Sequence, residues 1–196
     1  MGTNSRGKAK RSNDRNTRYA THVPVLTACV DALNASAENP ITVVEHGMGL
    51  SSTHFFHSLP HVKNIVSFER EIDWLNCSDC NDGSSQPHSM TLLDDDTAIE
   101  QATFGINEPE RTVGLVDGFA SQRVMVLEAW MCLGIVLIVE HDAETFSSGE
   151  VRGRRALAQK FGYAAYQYTG RDPETAFFVK QSSGLTLSLT GSCHTF

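Results

Sequence analysis

The sequence predicts an α/β fold: a doubly wound, mostly parallel sheet of seven strands, with helices on both faces and an antiparallel hairpin at its C-terminal edge. Three observations lead to this prediction. From residue 41 onward, short runs of β-branched and other apolar residues alternate with helix-sized segments, as in parallel sheets with crossover helices. The last two runs follow one another without a helix between them, which predicts the hairpin. The 196 residues suit a single domain with a substantial core.

The strands are short apolar runs bounded by turn residues. They are predicted at Ile41–Glu45, Asn64–Glu69, Ser89–Leu93, Thr112–Asp117, Ile135–Glu140, Tyr163–Tyr168 and Ala176–Lys180. The helices are predicted at Pro24–Ala35, Ser51–Leu59, Ile72–Cys80 and Asp96–Phe104, followed by two longer helices that end near residues 133 and 161. No internal repeat divides this alternation.

The two longer helices carry recognisable end signals. Ser121 is predicted as the N-cap of the first, and Gly134 follows its last residue. The segment Ser147–Glu150 has the Ser-x-x-Glu form of a capping box, so the second helix should begin there and end before Gly162.

Charge divides the chain into three segments. Residues 1–18 carry six basic side chains and one acidic side chain, and we expect a disordered basic tail there. Residues 19–182 form the predicted ligand-binding domain. Residues 183–196 are rich in Ser, Thr and Gly, and are expected to be a short extension that is either loose or holds a strand around Leu185–Leu189.

The expected partners follow from this charge distribution. The chain beyond residue 18 has 10 basic and 22 acidic residues, which disfavours nucleic acid as a partner except through the basic tail. No apolar run is long enough to cross a membrane. The five cysteines are an odd number, which favours reduced thiols and a cytoplasmic location. The oligomeric state is left open, and an oligomer could share the site.

The most informative segment is the turn after the first strand. The strand ends at Glu45, and Gly47 and Gly49 then lead into a helix that starts at Ser51 and Ser52. Two glycines there permit a tight turn and a close backbone approach to a ligand, and the helix start offers free N–H groups. This strand–turn–helix context predicts a nucleoside-binding site.

A second acid supports that prediction. Glu69 ends the second strand about 20 residues after the turn, which is the spacing at which a carboxylate accepts hydrogen bonds from ribose hydroxyls. Dinucleotide enzymes prefer a third glycine, where this chain has Ser52. Glu45 would repel a pyrophosphate but suits a cationic sulfonium or an ammonium group. An NAD-linked oxidoreductase remains the alternative enzyme.

The segment from Glu45 to Ser51 resembles the first motif of the class I S-adenosylmethionine-dependent methyltransferases, Glu/Asp-x-Gly-x-Gly-x-Gly/Ser. The resemblance extends over about residues 20–180. It implies S-adenosylmethionine as cofactor, with Gly47, Gly49, Ser51, Ser52 and the ribose acid Glu69 in the donor site. It also implies that Asp94 meets the adenine amine and that His22 lies over the donor pocket. A methyltransferase-like scaffold without activity is a further alternative.

Ionisable groups follow two more strand ends. Asp117 ends the fourth strand, and His141 and Asp142 follow the fifth. In a doubly wound sheet both ends rise beside the donor pocket, so these three are the predicted catalytic residues, and Asp117 is also assigned to the donor site. The predicted acceptor is a small molecule or sugar. Arg123 is either a ligand for an acidic acceptor or a helix-surface residue.

Metal dependence is left open at these strand ends. Chelation of Mg²⁺ by Asp117 and Asp142 is an alternative, because a catechol O-methyltransferase-like branch places metal-binding acids at these two strand ends. That branch has Asp-Asn where this chain has His141 and Asp142. A single Cys77-x-x-Cys80 pair is too little for a zinc site. No residue is therefore assigned as a metal ligand, and Mg²⁺ stays an open alternative.

Overall fold

The computed structural model describes residues 21–36, 40–76, 86–94, 98–170 and 174–196. The predicted basic tail at residues 1–18 lies outside these ranges, as do Cys77 and Cys80. None of the described helices is long and apolar enough to span a membrane.

The described residues form six α-helices and eight β-strands, together with three short 3₁₀ segments. The helices are α1 (Val23–Ser36), α2 (Leu50–Ser58), α3 (Ile72–Leu75), α4 (Ala98–Gln101), α5 (Ala120–Leu133) and α6 (Ser148–Phe161). The strands are β1 (Ile41–His46), β2 (Val62–Glu69), β3 (His88–Leu92), β4 (Thr112–Val116), β5 (Leu137–Glu140), β6 (Tyr163–Tyr168), β7 (Thr175–Lys180) and β8 (Cys193–Thr195).

The strands form one sheet in the order β3-β2-β1-β4-β5-β7-β6-β8. Strands β1 to β5 pair in parallel, whereas β7 pairs antiparallel with β5 and with β6. The predicted doubly wound sheet with an antiparallel C-terminal hairpin is confirmed. Winding reverses between β1 and β4, so the carboxyl ends of these two strands form the switch point where such folds bind ligands.

Helices cover both faces of the sheet because neighbouring residues of each parallel strand face opposite sides. On one face, Val43 packs in a buried cluster with apolar residues of α1 such as Leu26 and Leu33. On the other face, Val44 packs in a second cluster that includes Trp130 of α5. The Trp130 indole N–H donates to the Ala102 carbonyl at 2.8 Å, so its one polar atom is satisfied. The two cores hold the switch point rigidly between them.

The signals predicted for the long helices are partly confirmed. Ser147 and Glu150 form the reciprocal capping box at the start of α6, and Gly134 and Gly162 adopt left-handed conformations after α5 and α6. The prediction of Ser121 as an N-cap was wrong, because Phe119 holds that position and Ser121 lies in the first turn of α5. The turn at Gly118 directs the chain into the helix two residues earlier than the Ser signal suggests.

The C-terminal region also differs from the prediction. The last strand is β8, which pairs antiparallel with β6 and adds an eighth strand to the seven expected. Residues 185–189 form no strand, and the side chains of Leu185, Leu187 and Leu189 instead pack against the core cluster on the α1 face. These leucines bury part of their apolar surface against that cluster. The free edge of β6 is instead paired by β8.

Candidate functional site

The glycine-rich turn after β1 is joined to the turn after β4. Gly47 has a φ of +90°, and a Cβ atom there would lie 2.5 Å from the backbone nitrogen of Gly118. The Gly47 N–H donates to the Phe68 carbonyl at 2.8 Å, and the Asp117 N–H donates to the His46 carbonyl at 2.8 Å. The backbone of these two turns is therefore in direct contact, which only glycine at position 47 permits.

Glu69 fixes the other side of the same turn. Its carboxylate accepts the Met48 N–H at 2.8 Å through Oε2, and the N–H groups of Arg70 and Glu71 at 2.7 and 2.9 Å through Oε1. A carboxylate offers about four acceptor positions, so Oε2 retains capacity for a ligand hydroxyl. Glu69 therefore lies directly beside the glycine-rich turn.

An open cavity of about 270 Å³ lies between these elements. Its lining residues come from the turns after β1 and β4 and from the end of β2: Gly47, Met48, Glu69, Glu71, Asp117, Gly118 and Phe119. The cavity thus lies at the switch point, with bare backbone on one side and carboxylates on the other.

Glu45 does not line this cavity. Its side chain is fully buried beneath the turn and accepts hydrogen bonds from Thr53 Oγ1 at 2.8 Å, Ser67 Oγ at 2.6 Å and Ser52 Oγ at 3.2 Å. Burial raises the pKa of the Glu45 carboxyl to about 7, although the three hydroxyl donors favour its ionised form. Glu45 therefore anchors the start of α2 to β1 and β2.

Four further predicted donor-site residues lie at the start of α2 or beyond β3. Gly49 is the N-cap residue of α2, and the Ser52 hydroxyl is directed to Glu45. Ser51 is half-buried in the first turn of that helix. Asp94 is exposed after β3, where its N–H donates to the Gln101 side chain at 3.1 Å. None of these side chains is among the residues that line the cavity.

The predicted catalytic residues converge on one cluster. The His141 Nδ1 lies 3.1 Å from Asp117 Oδ1 and 3.2 Å from Asp142 Oδ1. Arg123 completes the cluster, with Nη2 3.3 Å from Asp142 Oδ2 and 3.6 Å from Asp117 Oδ1. Asp142 adopts a left-handed conformation with a φ of 60°, which turns its carboxylate back toward His141. Asp117 alone of these four also lines the cavity.

Charge pairing sets the protonation of this cluster. Burial opposes ionisation of Asp117, but the hydrogen bond and charge of His141 hold the pKa of its carboxyl below the usual value. Burial likewise opposes the charged form of His141, yet the hydrogen bond and charge of Asp117 raise the pKa of the imidazole. Each of the two groups therefore favours the charged form of the other.

Two residues before α1 close over this cluster. The Thr21 hydroxyl is hydrogen-bonded to His141 Nε2 at 3.1 Å. The His22 ring meets the His141 ring edge-on, with centroids 4.6 Å apart, and neither of its buried nitrogens has a hydrogen-bond partner among the described residues. Burial, together with the charge of His141, lowers the pKa of His22 to about 4. His22 thus contacts the cluster around His141 rather than the cavity wall.

Sequence reasoning overlooked His46 and Thr21 and left the role of Arg123 open. The Arg123 side chain donates to the backbone carbonyls of Gly118 at 2.7 Å and His141 at 2.9 Å, so it joins the loops after β4 and β5. The buried His46 ring fills the space against Gly118. The available signal for His46 was an ionisable residue at the end of an apolar strand.

No protein-family model and no curated protein matches the sequence. Among solved structures, the magnesium protoporphyrin IX methyltransferase ChlM from Synechocystis PCC 6803, solved with bound SAM, superposes with a TM-score of 0.51. The two are 9% identical over 92% of this chain and 87% of that chain. The chain has the class I methyltransferase fold.

Two other structures are similar at lower TM-scores. A methyltransferase-like protein from Silicibacter pomeroyi DSS-3 has a TM-score of 0.45 and 18% identity over 78% of this chain and 85% of that chain. The small RNA methyltransferase HEN1 has a TM-score of 0.43 and 13% identity over 86% of this chain, which spans 27% of the HEN1 chain.

Within this methyltransferase fold, five of the predicted donor-site residues fall into two groups. Gly47, Glu69 and Asp117 line the cavity at the switch point. Glu45 and Ser52 form the buried network beneath it, together with Ser67 and Thr53. The first group can contact a ligand directly, whereas the second holds the turn in shape.

Proposed function

We propose that this protein transfers a methyl group from S-adenosylmethionine to an oxygen of a small molecule or sugar. The observation that carries the proposal is the switch-point cavity, where a glycine backbone and the Glu69 carboxylate face the same space. A nucleoside needs both features, since its ring must approach the backbone closely and its ribose hydroxyls need an acceptor.

Glu69 supports the donor half of the proposal. Its Oε1 accepts two backbone N–H groups, and its Oε2 accepts one, which leaves Oε2 for a ribose hydroxyl. The same bonds hold the carboxylate in a single orientation before the ligand arrives, so little side-chain entropy is lost on binding.

Asp117 supports the acceptor half. Its carboxylate lines the cavity and is held ionised by His141. It can accept a hydrogen bond from the acceptor hydroxyl and aim the oxygen at the donor methyl carbon. As the new C–O bond forms and the C–S bond breaks, the sulfonium becomes a neutral thioether and the hydroxyl becomes strongly acidic. A carboxylate of lowered pKa then suffices to take the proton.

The expected partners and location remain part of the proposal. The excess of acidic residues beyond residue 18 favours a small-molecule acceptor over nucleic acid. Cys29, Cys132 and Cys193 are free thiols, which supports a reducing, cytoplasmic location.

The donor is tested by calorimetric titration of the full chain with S-adenosylmethionine, S-adenosylhomocysteine and NAD. We expect micromolar binding of both sulfur nucleosides and none of NAD. Glu69→Gln should weaken binding by about tenfold or more, because a hydrogen bond to a charged acceptor contributes about 1.5–3 kcal/mol. The matched control is Glu100→Gln, an exposed glutamate away from the cavity. Absence of sulfur-nucleoside binding by a folded sample would overturn the proposal.

The acceptor is tested with donor labelled in its methyl group. Hydroxylated small molecules and sugars should become labelled at oxygen, and an RNA of mixed sequence should not. Label in RNA alone, or in no compound while the donor still binds, would contradict the acceptor class and leave donor binding established.

A further inference from the structure

We infer that His22, Asp117 and His141 form a binding site for a divalent transition-metal ion of the Zn²⁺ or Mn²⁺ class. One ligand atom from each of the three residues lies within 4.8 Å of the other two. The residues come from three separate parts of the fold: the segment before α1, the end of β4 and the end of β5. The tertiary structure therefore gathers two imidazoles and one carboxylate at one edge of the sheet.

The burial of His22 without hydrogen-bond partners among the described residues is the independent observation that indicates a ligand. The side chain is 1% exposed, and neither Nδ1 nor Nε2 has a hydrogen-bond partner among the described residues. An imidazole buried with both nitrogens unsatisfied costs free energy, so nearly all buried polar groups in proteins are paired. Coordination by one His22 nitrogen would remove much of that cost.

The chemistry of the three ligand atoms indicates which kind of ion would bind. Two imidazole nitrogens with one carboxylate oxygen suit Zn²⁺, Mn²⁺ or Fe²⁺, whereas Mg²⁺ prefers oxygen ligands alone. The alternative of Mg²⁺ between Asp117 and Asp142 does not fit this geometry, because the Arg123 guanidinium already lies within 3.6 Å of both carboxylates. The positive charge there disfavours a second cation between those two acids.

The surroundings of His141 resemble those of a metal-ligating histidine. A ligating imidazole usually keeps its other nitrogen bonded to a carboxylate, carbonyl or water, which fixes its orientation. His141 has such a partner on each side, with Thr21 Oγ1 3.1 Å from Nε2 and Asp142 Oδ1 3.2 Å from Nδ1. Whichever nitrogen binds the ion, the other keeps a partner, so Thr21 and Asp142 are positioning residues.

The place of the site also suggests what the ion does. Asp117 belongs both to this metal site and to the cavity lining, so a bound ion would adjoin the acceptor. As a Lewis acid it would hold the acceptor oxygen and lower the pKa of its hydroxyl. That role rests on the proposed methyl transfer, whereas metal binding itself does not.

The test is a Co²⁺ titration of chelator-treated full-length protein, followed by visible absorption, with calorimetry for Zn²⁺, Mn²⁺ and Mg²⁺. We expect one Co²⁺ per chain with the spectrum of nitrogen and oxygen ligands, and binding of Zn²⁺ and Mn²⁺ in preference to Mg²⁺. His22→Ala should weaken binding by about tenfold or more. His22→Phe, which keeps a ring against His141, should do the same, while the exposed control His61→Ala should leave binding unchanged.

Three results would overturn the inference. The first is no ion bound by folded protein, and the second is unchanged affinity in a folded His22→Phe variant. The third is an intense thiolate charge-transfer band that disappears in a Cys77→Ser, Cys80→Ser double variant, which would place the ion at those cysteines. Titration with S-adenosylhomocysteine in the same samples measures binding at the donor site independently of the metal. Failure of the metal site and failure of the proposed function are therefore distinguishable.

Discussion

The His46 ring lies so close to Gly118 that a Cβ atom at that glycine would be 2.4 Å from ring atoms Cε1 and Nδ1. His46 ends β1 and is 1% exposed, while Gly118 is the second residue of the loop after β4. Burial lowers the pKa of His46 to about 4, so its ring is a neutral packing element at physiological pH. The contact sets the distance between the two strand ends that form the cavity.

Gly118→Ala should therefore destabilise the protein by about 1–3 kcal/mol, because the added methyl group must displace a buried ring. It should also weaken binding of S-adenosylhomocysteine, since Gly118 lines the cavity. Urea unfolding and calorimetry measure the two effects. The matched control is Gly153→Ala in α6, where no atom lies within 4 Å of the added Cβ and the helix should gain about 0.5–1 kcal/mol. Equal stability of the two variants would contradict the importance of the His46 contact.

Asp117→Asn should separate donor binding from methyl transfer. Turnover should fall by about 100-fold or more, because the neutral amide cannot take the acceptor proton. The Kd for S-adenosylhomocysteine should stay within about threefold of the wild-type value, since removal of a proton acceptor leaves the Glu69 contacts in place. Single-turnover assays and calorimetry measure these quantities, with the exposed Asp31→Asn as control. A parallel loss of donor binding would instead assign Asp117 to the donor site.

Arg123→Lys should destabilise the loops after β4 and β5 by about 2–3 kcal/mol. The guanidinium reaches the Gly118 and His141 carbonyls and the Asp142 carboxylate at once, and a single ammonium cannot reproduce that fork. Thermal unfolding is the measurement, and Arg155→Lys on the exposed face of α6 is the control. Unchanged stability with a raised KM for an anionic acceptor would show that Arg123 binds substrate instead.

Glu45→Gln should stabilise the protein at pH 8 more than at pH 5. The folded pKa of about 7 lies above the ordinary glutamate value of 4.5, so the stability that the protonated form provides is fully present below pH 4.5 and is lost as the pH rises through 7. Above that range the buried charge lowers the free energy of unfolding by about 3 kcal/mol. A neutral amide of the same shape avoids this loss.

Chemical unfolding of wild type and Glu45→Gln at the two pH values tests this dependence. The difference in free energy of unfolding between Glu45→Gln and wild type should grow by about 2 kcal/mol from pH 5 to pH 8. The contributions of the other titrating groups are the same in both proteins and cancel. The exposed Glu100→Gln provides the control with no pH dependence. A difference that is the same at both pH values would show that Glu45 ionises as freely in the folded protein as in the unfolded chain.

Much of the fold was predictable because its signals are local. The alternation of apolar runs with helix-sized segments predicted seven of the eight strands, and glycines or a Ser-x-x-Glu sequence marked the ends of the long helices. The turn at Gly47 and the strand-end acid Glu69 were also identified, because turn geometry and strand ends depend on neighbouring residues. Residues 193–195 carry a weaker signal, and their pairing with β6 depends on an edge formed elsewhere in the chain.

The direction of the Glu45 side chain could not be predicted in this way. In a central parallel strand both faces are buried, so alternation does not tell which side chain meets the ligand and which meets the core. Only the packing of β2 and α2 around β1 places Ser67 and Thr53 beside the Glu45 carboxylate.

The sequence by itself determined the order of the elements, the glycine-rich turn and the presence of ionisable groups at four strand ends. The tertiary structure alone decided that His22 meets His141 and that Arg123 joins two loops. Partners more than one hundred residues apart, such as Thr21 and His141, leave no local pattern. Their contact arises from the strand order, which brings the carboxyl ends of β4 and β5 beneath the start of α1.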